Sequence, residues 1–425
     1  RDEMLLGKYV GGIIGYGNSS QIVGCSTKKG GYILGSDFVG GIAGGFSNDL
    51  RYAIKGNESI TMTTNASYII GNNYVGGIVG KNEGEQDASS TMQNCVNQGV
   101  AAGYGRYIGG IVGYNGQYGV LEDCASYLSD YDQSVYRMVT KTWEANTGDC
   151  VGGMAGYNDG KIYFSDSGSV TVKSVASLVV GRHFVGGMIG FNDIHGNVGE
   201  DLSENYTLIG GRIHGFGNAV GGCIGLNASA GLLKNELEVK PTSVTGTYYV
   251  GGCIGANVVD MIDHTTEYIQ PESDIQMDGF RTDNRLGSIT GDAFVGGVIG
   301  YHRTYSQGQL GGMTIHDYLL ATVCGIDGED NLIPVLPDIN EDGMGKNLPA
   351  NVLESDNPYG LTVSMDGRTN NNVPIKSWLY TGGVTGYCEK NSRLVLKNCI
   401  NAGNITKNSG SDSGLAEGVS LKAYL

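Results

Sequence analysis

Tyr107-Ile108-Gly109-Gly110-Ile111-Val112-Gly113-Tyr114-Asn115 is an aromatic and aliphatic stretch broken by three glycines. It carries no helix cap and no apolar stripe of 3.6-residue period, whereas short β-branched and aromatic runs bounded by glycine read as strands. The same phrase returns as Tyr9-Val10-Gly11-Gly12-Ile13-Ile14-Gly15-Tyr16 and as Phe184-Val185-Gly186-Gly187-Met188-Ile189-Gly190-Phe191. A weaker version is Tyr380-Thr381-Gly382-Gly383-Val384-Thr385-Gly386-Tyr387. The first glycine of each pair falls at 11, 40, 76, 109, 152, 186, 221, 251, 296 and 382. The shortest spacing is about 30 residues, and the longer ones read as the same unit carrying loop insertions.

Between these phrases lie further alternating segments, among them Ser169–Val175, Leu237–Lys240 and Arg393–Lys397. Several short strands per unit, repeated in tandem, predict an all-β chain folded as a parallel β-solenoid of about ten Gly-Gly-centred repeats. Equivalent positions then stack at ~4.8 Å, so ten coils extend about 48 Å. An aromatic residue precedes the Val position in Tyr9, Phe38, Tyr74, Tyr107, Phe184, Tyr249, Phe294 and Tyr380, predicting an aromatic ladder beside an aliphatic Val/Ile core. Gly15, Gly44, Gly80 and their equivalents call for positive φ or a close backbone approach at a corner. Asn82, Asn115, Asn158, Asn192, Asn227 and Asn257 share one repeat position and predict a ladder of stacked amides. Cys223 and Cys253 also share a position, at a spacing a disulfide could bridge. Ile, Met and Val fill that column elsewhere, so apolar packing is the expectation there.

Composition agrees. Glycine supplies 73 of 425 residues with 7 prolines and no Gly-X-Y period, which excludes collagen. Hydrophobic residues at 40% suffice for a core. A net charge of −16 argues against nucleic acid and anionic lipid surfaces as partners, because both need clustered Lys and Arg. No run of ~20 apolar residues occurs, so no membrane insertion is expected. Nine cysteines are too sparse for a disulfide scaffold, and no Cys-x-x-Cys pair points to zinc. The chain opens on Arg1 without a leader pattern, the expectation for a mature product or a piece of a longer one.

Catalytic signatures are missing. There is no His-Glu-x-x-His, no Gly-x-Ser-x-Gly and no phosphate-loop Gly-Lys-Ser/Thr. His183, His195, His214, His264, His302 and His316 are scattered, and no acid or base recurs at one repeat position. No catalytic or cofactor-binding residue is therefore expected, and no cofactor is required.

Three segments follow: residues 1–301 with repeats one to nine, an interruption at 302–378, and 379–425 with repeat ten and the start of a following coil. The interruption holds five of the 7 prolines and reads as a long loop or a small module on the solenoid flank. Inside it, Asp338-Ile339-Asn340-Glu341-Asp342-Gly343 has the start of a calcium loop, with Asp338, Asn340 and Asp342 as candidate metal ligands. Pro349 stands where the closing acid belongs, so the match is partial and an acidic surface turn is the alternative; Glu354 or Asp356 could close it.

The core phrase resembles the GLUG repeat of bacterial surface proteins. Asn94-Cys95-Val96-Asn97-Gln98-Gly99 and Asn398-Cys399-Ile400-Asn401-Ala402-Gly403 match the segment that often follows it. The resemblance covers residues 9–301 and 380–406. It implies a secreted or wall-attached bacterial protein, adhesin-like and extracellular, whose repeats form a stalk or ligand-display scaffold. Its expected partner is a host glycan or matrix protein. The alternative is a structural filament or surface-layer component joined to copies of itself end to end. A β-helix enzyme acting on polysaccharide is a third reading.

Overall fold

The computed structural model describes residues 7–18, 20–48, 53–55, 63–126, 148–164, 178–198, 206–208, 211–229, 237–239, 243–260, 288–305, 312–326, 332–334, 362–364, 370–371, 375–377, 379–389, 395–397, 400–401 and 405–407. Each Gly-Gly phrase yields two strands. In the fourth repeat these are Arg106–Gly109 and Val112–Asn115. The first strands of all repeats form one ten-stranded sheet and the second strands another. Pairing is parallel and joins like to like: Ile108 lies opposite Val75 on one side and Val151 on the other. Parallel neighbours need a long return path, and here the rest of each repeat supplies it. Six-stranded sheets running from Ile22–Val23 to Asn197–Val198 and from Leu178–Gly181 to Ile405–Lys407 are built on that return. The chain is a parallel β-solenoid, as its repeats predict.

Two apolar columns fill the interior. One stacks Ile42, Ile78, Ile111, Met154, Met188, Cys223, Cys253 and Val298, the residues that follow the Gly-Gly pair. The other stacks Val39, Val75, Ile108, Val151, Val185, Val220, Val250 and Val295. Cys223 and Cys253 are buried thiols that take the place of aliphatic side chains. Burial, then the neighbouring Cys223 thiol, pushes the Cys253 thiol well up, as befits packing rather than reactivity.

Backbone crowding explains the glycines. A Cβ on Gly109 would lie 1.9 Å from the Val112 carbonyl oxygen, and one on Gly110 would lie 2.0 Å from that of Gly153. On Gly113 it would meet Tyr74 C and Val75 N at 2.6 Å. Of the two reasons for the third glycine, close approach therefore holds and positive φ does not. The left-handed conformation sits instead on the residue before Val, in all ten repeats, with φ from 49° at Tyr380 to 67° at Tyr107. For a bulky residue this costs roughly 1–3 kcal/mol. Stacking of the rings on the outer surface offsets part of it: Tyr9 and Phe38 lie 4.5 Å apart at 7°, Phe38 and Tyr74 4.6 Å apart at 17°. Each such pair contributes about 0.5–1.5 kcal/mol beyond area burial.

Strand pairing runs beyond the boundaries drawn from the repeats. The second strand of repeat nine continues through Tyr305. Thr362–Ser364, Asn370–Asn371 and Ile375–Ser377 already pair in parallel with Val395–Lys397, Ile400–Asn401 and Ile405–Lys407. Within the interruption stand a helix, α1 (Ile315–Val323), and a hairpin of Cys324–Ile326 with Leu332–Pro334. The Thr314 hydroxyl caps α1 by accepting from the Asp317 N–H at 3.1 Å, the Thr-x-x-Asp signature of a helix start. The calcium candidates Asp338, Asn340 and Asp342 lie outside the described residues, as do Pro349, Glu354 and Asp356.

Candidate functional site

The asparagine column is a continuous amide ladder. Nδ2 donates to the next Oδ1 from Asn82 to Asn115 (2.9 Å), Asn115 to Asn158 (2.9 Å), Asn158 to Asn192 (2.8 Å), Asn192 to Asn227 (3.1 Å) and Asn227 to Asn257 (2.7 Å). It ends on His302, whose Nδ1 lies 3.0 Å from Asn257 Nδ2. From Asn82 through Asn227 the second amide hydrogen goes to a carbonyl of the same coil, as from Asn158 to Gly160. All six asparagines are fully buried. The column spends its hydrogen bonds along the axis, which makes it structural. A shorter ladder joins Thr27, Asn65, Asn97 and Ser126, and Asn97 comes from the Asn-Cys-x-Asn-x-Gly segment.

The face with chemical variety is the outer one. The aromatic column that begins at Tyr9 runs beside a second one holding Tyr16, Lys81, Tyr114, Tyr157, Phe191, Tyr301 and Tyr387. Edge-to-face contacts such as Tyr107 with Tyr114 join them at 5.9 Å. Helix α1 packs on this face: its Tyr318, Leu319, Leu320 and Val323 are buried with Cys150, Phe184, Phe191, Ala219, Leu226, Ala256 and Phe294. The two repeats that break the aromatic rule, with Cys150 and Ala219, both contribute to this seat. Sequence reading missed the docked helix, yet those breaks and the Thr314 cap were the signals for it.

At the edge of the helix a polar hub forms. Tyr157 donates its hydroxyl to Asp193 Oδ2 at 2.6 Å, and Ile194 N–H donates to Oδ1 at 2.8 Å. His316, in the first turn of α1, places Nδ1 3.5 Å from the same Oδ2 and Nε2 3.1 Å from the Tyr107 hydroxyl. A tautomer protonated on Nδ1 satisfies both contacts. One coil away Asp159 lies 3.0 Å from His195 Nδ1. Because Asn158 pairs with Asn192, Asp159 and Asp193 occupy one repeat position in adjacent coils. This corrects the reading that no acid recurs; the Asn-Asp dipeptides at 158–159 and 192–193 carried the signal.

The two carboxyls diverge. Burial, then the charge of Asp193, raises Asp159 above its ordinary value, against an opposing pull from His195. Burial of Asp193 works in the same sense, but hydrogen bonds from His316, Tyr157 and Ile194 outweigh it and hold that carboxyl below 3.8. A depressed carboxyl contributes stability above its ordinary value and loses it as pH falls through the folded one. Hydrogen exchange of the α1 amides is therefore expected to accelerate as pH drops below 3.8, after correction for intrinsic rates. In Asp193→Asn it should already be fast at neutral pH. Equal protection in both proteins at every pH would remove Asp193 as the clamp.

Such opposed carboxyls are a mark of acid–base sites, yet both are occupied by neighbouring side chains and backbone. A second juxtaposition, Cys324 Sγ 3.4 Å from His183 Nδ1, is no activated nucleophile. That nitrogen accepts the Asn218 N–H at 2.9 Å, and burial pushes the Cys324 thiol well up. Among the described residues no group of three or more His, Cys, Asp or Glu is arranged to hold a metal ion.

In the first four repeats the outer face is more open. Tyr9 and Tyr16 are exposed; Phe38, Tyr74, Tyr107 and Tyr114 are half-buried. Lys81 bridges this strip, with Nζ 5.4 Å from the centre of the Tyr114 ring and 2.7 Å from Glu83. No family model, curated protein or solved structure matches the chain.

Proposed function

We propose that the chain is a non-catalytic display scaffold of the bacterial surface, an adhesin-like stalk whose open aromatic strip and inter-repeat loops meet a host glycan or matrix protein outside the cell. The observation that carries this reading is the direction in which the recurring side chains spend their interactions. Asparagine amides, interior aliphatics and rings bond or pack to their own equivalents one coil away. A rod stabilised by nearest-neighbour stacking is stiff and extensible, and leaves its loops free to vary. The resemblance of the core phrase to GLUG repeats supports the same reading, and with it the extracellular setting.

The test is to probe the full chain on arrays of glycans and matrix proteins, with polysaccharide cleavage followed in parallel. Saturable binding to at least one ligand, weakened by Tyr16→Ala, without release of reducing or unsaturated ends is the expected result. Sugar release would replace the scaffold by a β-helix enzyme. Failure to bind any glycan or matrix protein would sink the display reading.

A further inference from the structure

The asparagine ladder has a direction, and its last partner is not an asparagine. From Asn82 through Asn227 each Nδ2 gives one hydrogen to a backbone carbonyl of its own coil and the other to the next Oδ1. A carbonyl only accepts, so turning any of these amides about would set oxygen against oxygen. Each rung is therefore fixed in orientation. Asn257, whose Oδ1 accepts from Asn227, presents its Nδ2 onward. What it meets, at 3.0 Å, is Nδ1 of the fully buried His302. That nitrogen has to accept, so the ring is neutral and carries its proton on Nε2. An imidazolium donates from both nitrogens and would face Asn257 N–H to N–H.

The titratable and charged groups described around the ring leave this conflict in place. Cys388 is the register partner of His302 in the next coil. Burial, then Glu389, pushes that thiol up to about 11, so it is an uncharged neighbour. Glu389 donates its backbone N–H to the His302 carbonyl at 2.9 Å. Its carboxylate accepts the Tyr301 hydroxyl and lies 3.4 Å from Arg303 Nε. On the preceding coil the partner is the uncharged Asn257.

We propose that His302 is an acid-sensitive end stop of the amide ladder, whose protonation breaks the last rung and opens the joint between repeats eight and nine. The next residue, Arg303, holds the Tyr318 hydroxyl of α1 at 3.0 Å, so the loosening reaches the helix. An unfolded chain takes the proton at the ordinary imidazole value of ~6.5, whereas the folded chain takes it only by losing the bond to Asn257. The contribution of the rung is therefore whole above ~6.5 and falls as pH drops below it. This goes beyond the display function and stands apart from it, since it concerns the coils beside α1 and not the open strip.

Amide hydrogen exchange of the full chain at about pH 7.5 and about pH 5.5, corrected for intrinsic rates, tests it. In the parent, Ile254–Asp260, Ile299–Tyr305 and Thr385–Cys388 should exchange about tenfold faster at the lower pH, one decade for the unit below ~6.5, while Val112–Asn115 keeps its protection. His302→Asn continues the ladder with its own residue type, accepts through Oδ1 and takes no proton. It should show the same protection at both pH values. Every other histidine remains in that variant, His316 of the α1 clamp included, so the comparison isolates His302. Should it not fold, His302→Gln, which also accepts without titrating, makes the same comparison. Equal protection of the parent at both values overturns the proposal, and so does an acid-induced loss of the same size in the variant.

Discussion

Gly156→Ala is expected to destroy the continuity of the solenoid. The new methyl would stand 2.3 Å from Ile108 N and 2.5 Å from Tyr107 C, atoms of the preceding coil's backbone that cannot swing aside. Relief requires the coils to part, which breaks parallel pairing and both interior columns together. Ordinary overpacking costs ~1–3 kcal/mol, and here the loss should exceed about 4 kcal/mol. Chemical unfolding should show a lost or split transition, since a repeat array fails between neighbours. Gly116→Ala is the control: its methyl would meet the Tyr114 ring at 3.4 Å and the Asn82 oxygen at 3.6 Å. That variant should stay within ~1 kcal/mol of the parent. Equal effects at the two glycines would contradict the crowding argument.

Asn158→Ala should be the second most damaging change. Its carboxamide accepts from Asn115 and donates to Asn192 and to the Gly160 carbonyl. Deletion leaves three polar groups without this partner in a fully buried column. At ~1–3 kcal/mol for each unsatisfied group, the total is roughly 3–6 kcal/mol after partial relaxation. The thermal midpoint should fall accordingly, with protection lost on both flanking coils. A drop worth less than ~1 kcal/mol would mean that the ladder is ornamental.

The two experiments probe different halves of one design. Glycine lets backbones approach closely enough for the strand of one repeat to pass over the strand of the previous one. Asparagine and the rings then fix which residue meets which, because a slip of one position would bury the wrong face. Helix α1 is an addition to that design, held through His316, Asp193 and Tyr157 at one edge and through Arg303, which donates to the Tyr318 hydroxyl at 3.0 Å, at another.

The parallel solenoid, its ten-fold repetition, the asparagine ladder, the aromatic stacking and the burial of Cys223 and Cys253 were all legible in the order of the residues. All of these are properties of a column, and a column can be written down once the repeats are aligned. The tertiary structure alone placed positive φ on the aromatic residue rather than on the third glycine, because backbone dihedrals answer to crowding between coils. It alone seated α1 over Cys150 and Ala219 and brought His316 from the interruption to Asp193 in repeat six. Those contacts join residues more than a hundred positions apart or separated by irregular loops. Repeat spacing carries no information about them, and only the closing of the chain into coils sets their distances.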